Sequence, residues 1–121
     1  MPTAGEKGKL AENLAAEYLL QHGFAILNRN VRLAGGELDI VAQEGEHLVF
    51  VEVKAGLRRS QEQCLEAIDA LKTARICQAA NAFIAQRQIN LSCRFDVITV
   101  DLSNQPPSCC LWRDAFRPEE I

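Results

Sequence analysis

The chain has 121 residues, a length that suits a single domain, 1–121, around one core. Hydrophobic residues make up 48% and charged residues 24%, a globular balance rather than a disordered or collagen-like one. The net charge of −3 argues against a surface that binds nucleic acid all over, and leaves room for a local basic patch.

Thr3-Ala-Gly-Glu6 has the spacing of a capping box, and predicts a helix over Lys7 to His22 with Leu10, Leu14, Tyr18 and the alanines at helical spacing. Gly23 stops it as a C-cap. Phe24 to Val31 reads as a first strand and Ala34-Gly35-Gly36 as a turn. Two more strands run from about Glu37 to Ala42 and from Leu48 to Lys54. Ser60 to Gln86 reads as a long helix whose stripe holds Leu65, Ile68, Ile76, Ala79, Ala80 and Phe83. Lys72 lies within that stripe, an unusual place for a lysine unless it reaches a partner or a cleft. RFDVITVDL, from Arg94 to Leu102, alternates as a strand, SNQPPS is a turn, and CCLWRDAF is a last short strand. The expected class is α/β, with helices flanking a central mixed sheet of about five strands.

No run of about 18 apolar residues is present, so no membrane contact is expected. MPTAGEKGKL lacks a secretory apolar core, which reads as cytoplasmic. The five cysteines, Cys64, Cys77, Cys93, Cys109 and Cys110, are odd in number and form no CxxC. They read as small buried or half-buried thiols, neither a disulfide framework nor a zinc site with His22 or His47. Arg29 and Arg32 precede the two central strands and Arg58-Arg59 follow them, either as solvated surface or as a basic patch.

The stretch GELDIVAQEGEHLVFVEVK, Gly36 to Lys54, places four charged groups inside an apolar hairpin. Burying Leu38, Ile40 and Ala42 together with Val49, Val51 and Val53 sets one register, because a one-residue slip would flip one set outward. Ala42 then faces Val49, Ile40 faces Val51 and Leu38 faces Val53. Gly45-Glu46 closes the hairpin as a type II′ turn. On the other face Val41 meets Phe50, Glu37 meets Lys54 and Asp39 meets Glu52. Glu37 and Lys54 suit a cross-strand ion pair; Asp39 and Glu52 repel. A shared proton, a nearby lysine, a divalent cation or screening on a wet face would each offset that repulsion. Asp96 and Arg94 share one side of their strand and read as strand-end structure.

Asp39 followed by Glu52-Val53-Lys54 resembles the PD-(D/E)xK nuclease motif. Asn30, GELDIVA, LVFVEVK, EAIDALK, RFDVITV and LWRDAF together resemble the YraN family. These are small bacterial proteins with a restriction-endonuclease-like fold, similar to archaeal Holliday-junction resolvases. The resemblance implies Asp39 and Glu52 as metal ligands, with the Val53 carbonyl and the first-helix Glu12 completing the set. It implies Lys54 as the residue that positions the attacking water or offsets phosphate charge. Glu37 and Lys72 match further family positions. The implied cofactor is Mg²⁺ or Mn²⁺, and the implied activity is hydrolysis of DNA phosphodiester bonds, on branched or structured DNA by analogy with the resolvases. RNA is not excluded, and the resolvase likeness implies a homodimer, to which Leu111, Trp112 and Phe116 would contribute unless they cap the core. The chain departs from the family pattern at Ala11, Gly56 and Glu62. The competing reading is a non-catalytic nucleic-acid-binding or protein-interaction module on the same fold.

Overall fold

In a computed structural model of the chain, residues 3–56, 70–103 and 105–117 are described. Among them the order is α1 (Ala4–Gln21), β1 (Ala25–Leu33), β2 (Gly36–Glu44), β3 (His47–Gly56), α2 (Ala70–Arg87), β4 (Ser92–Asp101) and β5 (Ser108–Phe116). The expected helix from Ser60 is described only from Ala70. Its Leu65 and Ile68, like Arg58, Arg59, Glu62 and Cys64, lie outside the described residues.

The local chemistry of α1 follows the sequence. The Glu6 amide donates to Thr3 Oγ1 at 3.1 Å, which satisfies one of the unpaired amides of the first turn. At the other end Gly23 takes φ +88°. The Phe24 amide then reaches the Leu19 carbonyl at 3.0 Å and the Gly23 amide reaches Leu20 at 3.4 Å, the paired bonds of a Schellman cap.

The five strands form one sheet in the order β1-β2-β3-β4-β5. All neighbours are antiparallel except β3 and β4, which are parallel. A parallel pair needs a crossover, and α2 lies on that connection. This is the α/β, restriction-endonuclease-like architecture expected from the sequence.

Both faces of the sheet are buried. Ala11, Ala15, Ala16 and Leu19 of α1 pack with Ile40, Ala42, Val49, Val51, Ile98 and Val100. Ile76, Ala79, Ala80 and Phe83 of α2 pack with Leu38, Val41, Leu48, Phe50 and Phe95. Alternation along a strand sends successive side chains to opposite faces, so β3 serves both clusters. On α1 the alanines carry the contact, and Leu10 is exposed. Small side chains let the helix approach the sheet closely, and Leu10 falls off that line. The C-terminal strand caps the core: Leu111 packs on the α1 cluster and Phe116 on the α2 cluster. Trp112 donates its indole N–H to Thr99 Oγ1 at 3.0 Å.

Candidate active site

The β2–β3 hairpin has the register read from its alternation. Ala42 pairs with Val49, Ile40 with Val51, Val41 with Phe50 and Gln43 with Leu48; Glu44 and His47 close the ladder. Gly45, at the first central position of the turn, has φ +59°, which a side chain would disfavour.

At the far end the hairpin departs from expectation. The ladder stops at Ile40 and Val51, and the expected pairing of Leu38 with Val53 does not form. Leu38 turns to the α2 cluster, while Val53 packs on the α1 cluster. The reason is a hydrogen bond. The Val53 amide donates to Asp39 Oδ2 at 2.9 Å, so a carboxylate takes the place of a ladder carbonyl and the strands splay. Because a residue's N–H and C=O leave a strand on one edge, Val53 also turns its carbonyl toward the Asp39 side.

The splay brings Asp39 and Glu52 together. The Asp39 carboxyl lies close enough to Glu52 to be shifted by it, and the Glu52 side chain is only 4% exposed. Burial first, and then the charge of Glu52, push the Asp39 carboxyl up to about 8, against the pull of the Val53 amide and of Lys72. Near neutral pH the metal-free pair therefore shares a proton. Lys72 supplies a second offset: its Nζ lies 2.5 Å from Glu52 Oε1. The lysine that the helical period placed on the inner stripe of α2 thus has its partner.

Lys54 lies two residues beyond Glu52, on the same face of β3 by alternation. It makes no ion pair among the described residues, and the expected bridge to Glu37 is absent there. Glu37 is exposed and pairs across β1–β2 with Arg32. Glu12 has partners of its own on β1. Its Oε1 accepts from Arg29 at 3.0 Å and from Asn30 at 2.9 Å. No group of three or more histidine, cysteine, aspartate or glutamate side chains that could hold a metal occurs among the described residues. Asn30 takes φ +54°, a left-handed conformation that asparagine tolerates. The bond to Glu12 anchors it, and this role left no spacing signal in the sequence.

A second charged cluster lies at the opposite end of the hairpin. Arg94 grips Asp96 through two bonds of 2.8 and 2.7 Å and reaches Glu44 at 2.7 Å. Arg113 also holds Glu44, at 2.7 Å, and the two arginines, Arg113 foremost, lower the Glu44 carboxyl to about 2. Asp96 is fully buried and accepts the Asp114 amide at 2.9 Å. That bond holds a bulge in β5, where Asp114 has φ +52°. Each of the four carboxylate oxygens of Asp96 and Glu44 accepts from an arginine, which makes this cluster structural, as the shared side of Arg94 and Asp96 suggested.

The four described cysteines, Cys77, Cys93, Cys109 and Cys110, are free thiols. No described helix is long and apolar enough to cross a membrane.

A model of the uncharacterised protein family UPF0102 matches residues 11–100. A UPF0102 protein of Dehalococcoides mccartyi is 38% identical over 115 residues, covering 94% of this chain and 95% of the relative. One from Pseudomonas paraeruginosa is 41% identical over 115 residues, with 92% of each chain covered. One from Geobacter metallireducens is 43% identical over 101 residues, with 83% of each covered.

Proposed function

The chain belongs to the uncharacterised protein family UPF0102, and from that footing we propose that Asp39, Glu52 and Lys54 are the catalytic set of a deoxyribonuclease. It uses Mg²⁺ or Mn²⁺ to hydrolyse DNA phosphodiester bonds. The observation that carries this reading is a buried Glu52 set beside a half-buried Asp39, at the point where the hairpin gives up its own ladder to admit them. A fold gains nothing from such a pair that two apolar residues would not supply better.

The residues present fit a divalent ion. Mg²⁺ takes one or two protein carboxylates and completes its shell with water and phosphate oxygens. Asp39 and Glu52 would hold it, with the Val53 carbonyl on the same edge. Bound there, the ion would supply an activated water and offset the charge that develops on the phosphate. Asp39 would first give up the shared proton. Lys54, with no carboxylate partner among the described residues, would hold the attacking water or the phosphate oxygens. Glu12 is committed to Arg29 and Asn30 and stays outside the set.

One observation favours the non-catalytic module: the shared proton and Lys72 already neutralise the pair. Calorimetric titration with Mg²⁺ and Mn²⁺ separates the two, comparing wild type with Asp39→Asn and Glu52→Gln, alone and with DNA. Binding of an ion by the wild type, lost in both variants, followed by cleavage of linear or branched DNA, supports the nuclease. Absence of binding by the wild type, with and without DNA, refutes it in favour of the module. RNA in the same cleavage assay tests the breadth of substrate.

A further inference from the structure

A surface cleft of about 700 Å³ opens between the β1–β2 turn and the first described turns of α2. Among the described residues, Arg32, Lys72 and Arg75 line it, together with the acidic Glu37 and the exposed Leu71. Lys72 belongs to two places at once, since it lines the cleft and grips Glu52. The cleft therefore adjoins the carboxylate pair.

The pairing of the arginines singles this cleft out. Among the described residues, Arg29, Arg94, Arg113 and Arg117 are each bridged to a carboxylate, and Arg87 lies over the Phe83 ring. Arg32 and Arg75 are in no ion pair among the described residues, and both stand on this cleft. In a chain of net charge −3, two guanidinium groups without an ion pair among the described residues, beside a lysine already paired with Glu52, leave a local positive excess over the single carboxylate of Glu37. Its walls are held at a set spacing. A Cβ at Gly36 would collide with the Arg75 carbonyl, so the start of β2 packs directly on the α2 backbone. The guanidinium fork matches phosphate oxygens in pairs, which an ammonium does not.

We propose that this cleft seats a backbone phosphate of a nucleic-acid strand, held by Arg32 and Arg75, next to the phosphate presented to Asp39 and Glu52. The proposal rests on the reading of that pair as the site of phosphodiester chemistry, and it names the contact that places the strand there. Glu37 repels the same phosphate and tempers the affinity.

The test is binding of a labelled DNA oligonucleotide to the full chain, by fluorescence anisotropy in chelator, over a series of salt concentrations. Arg32 and Arg75 are both exposed, so their substitution leaves the fold intact. Arg32→Gln combined with Arg75→Gln is expected to weaken binding about ten-fold or more. It should also lower the slope of log affinity against log salt by roughly 0.7–0.9 for each phosphate that is no longer neutralised. Glu37→Gln should strengthen binding, which a merely structural role would not do. Mg²⁺ calorimetry on the double variant should match the wild type. An unchanged affinity and salt slope in the double variant would overturn the proposal and leave the metal reading intact. So would loss of inorganic phosphate binding alone, which would make the cleft a seat for free phosphate. A wild type that binds DNA through Arg32 and Arg75 but takes no metal would uphold the cleft and sink the nuclease.

Discussion

Replacing Asp39 by asparagine should stabilise the metal-free protein at alkaline pH and leave it nearly unchanged at acid pH. Asparagine keeps the geometry: its amide can donate to Glu52 as the protonated carboxyl does, and its oxygen can still accept the Val53 amide. What it removes is titration. The Asp39 carboxyl is raised from 3.8 to about 8 in the folded chain. Between those values the folded state holds a proton that the unfolded chain has released. Stability from this group is therefore complete below about pH 4 and falls as pH rises toward 8. Each pH unit inside that window costs up to about 1.4 kcal/mol. From pH 5 to 8 that is at most about 4 kcal/mol, reduced to roughly 2–4 by water access and by Lys72. For a domain of this size the loss corresponds to about 3–5 °C in Tm per kcal/mol. Thermal unfolding in chelator at pH 5, 6, 7 and 8 reads it directly. The wild type should lose stability across the series relative to Asp39→Asn, with a gap that is smallest at pH 5 and extrapolates to zero near pH 4. A difference between the two proteins that does not change with pH would refute the shared proton, as would a variant equally destabilised at both ends. With Mg²⁺ present near neutral pH, binding should release a proton, seen as a buffer-dependent heat in calorimetry.

Two further perturbations test the frame around the site. Asp96→Ala strips the buried partner from Arg94 and from the Asp114 amide; chemical denaturation should show a loss of about 3–5 kcal/mol, and a loss under about 1 kcal/mol would contradict the structural role of the cluster. Ala34 sits in the β1–β2 turn at φ +51°, where a Cβ is disfavoured; Ala34→Gly should raise stability by about 0.5–1 kcal/mol in the same assay, and a decrease would place the turn in another conformation.

The parts of the site that were legible in the sequence are those set by short periods. Alternation in Leu38–Ala42 and Leu48–Val53, with Gly45 at the turn, was enough to oppose Asp39 to Glu52. The helical period put Lys72 on the buried stripe with Ile76 and Phe83, and so pointed to an inward partner. Leu38 escaped this logic because the ladder ends at Ile40 and Val51, three pairs short of what alternation implies. A carboxylate accepting the Val53 amide is a tertiary choice, and no local pattern announces it. The same holds for the left-handed conformations of Asp114 and of Ala34, a residue type that seldom adopts one. The bridge between Glu44 and Arg113, 69 positions apart, depends on strand order, which periodicity does not encode. The cleft stands between these cases. Arg75 follows Lys72 by three residues and so shares its side of the helix, which the sequence did offer. That Arg32 and Glu37 come to meet them depends on the crossover that lays α2 against the β1–β2 hairpin. The same crossover, through Lys72, joins the basic cleft to the carboxylate pair. Chemistry and strand placement are thus coupled through one helix, and a substitution that shifts α2 should disturb both, whereas Asp39→Asn should disturb only the first.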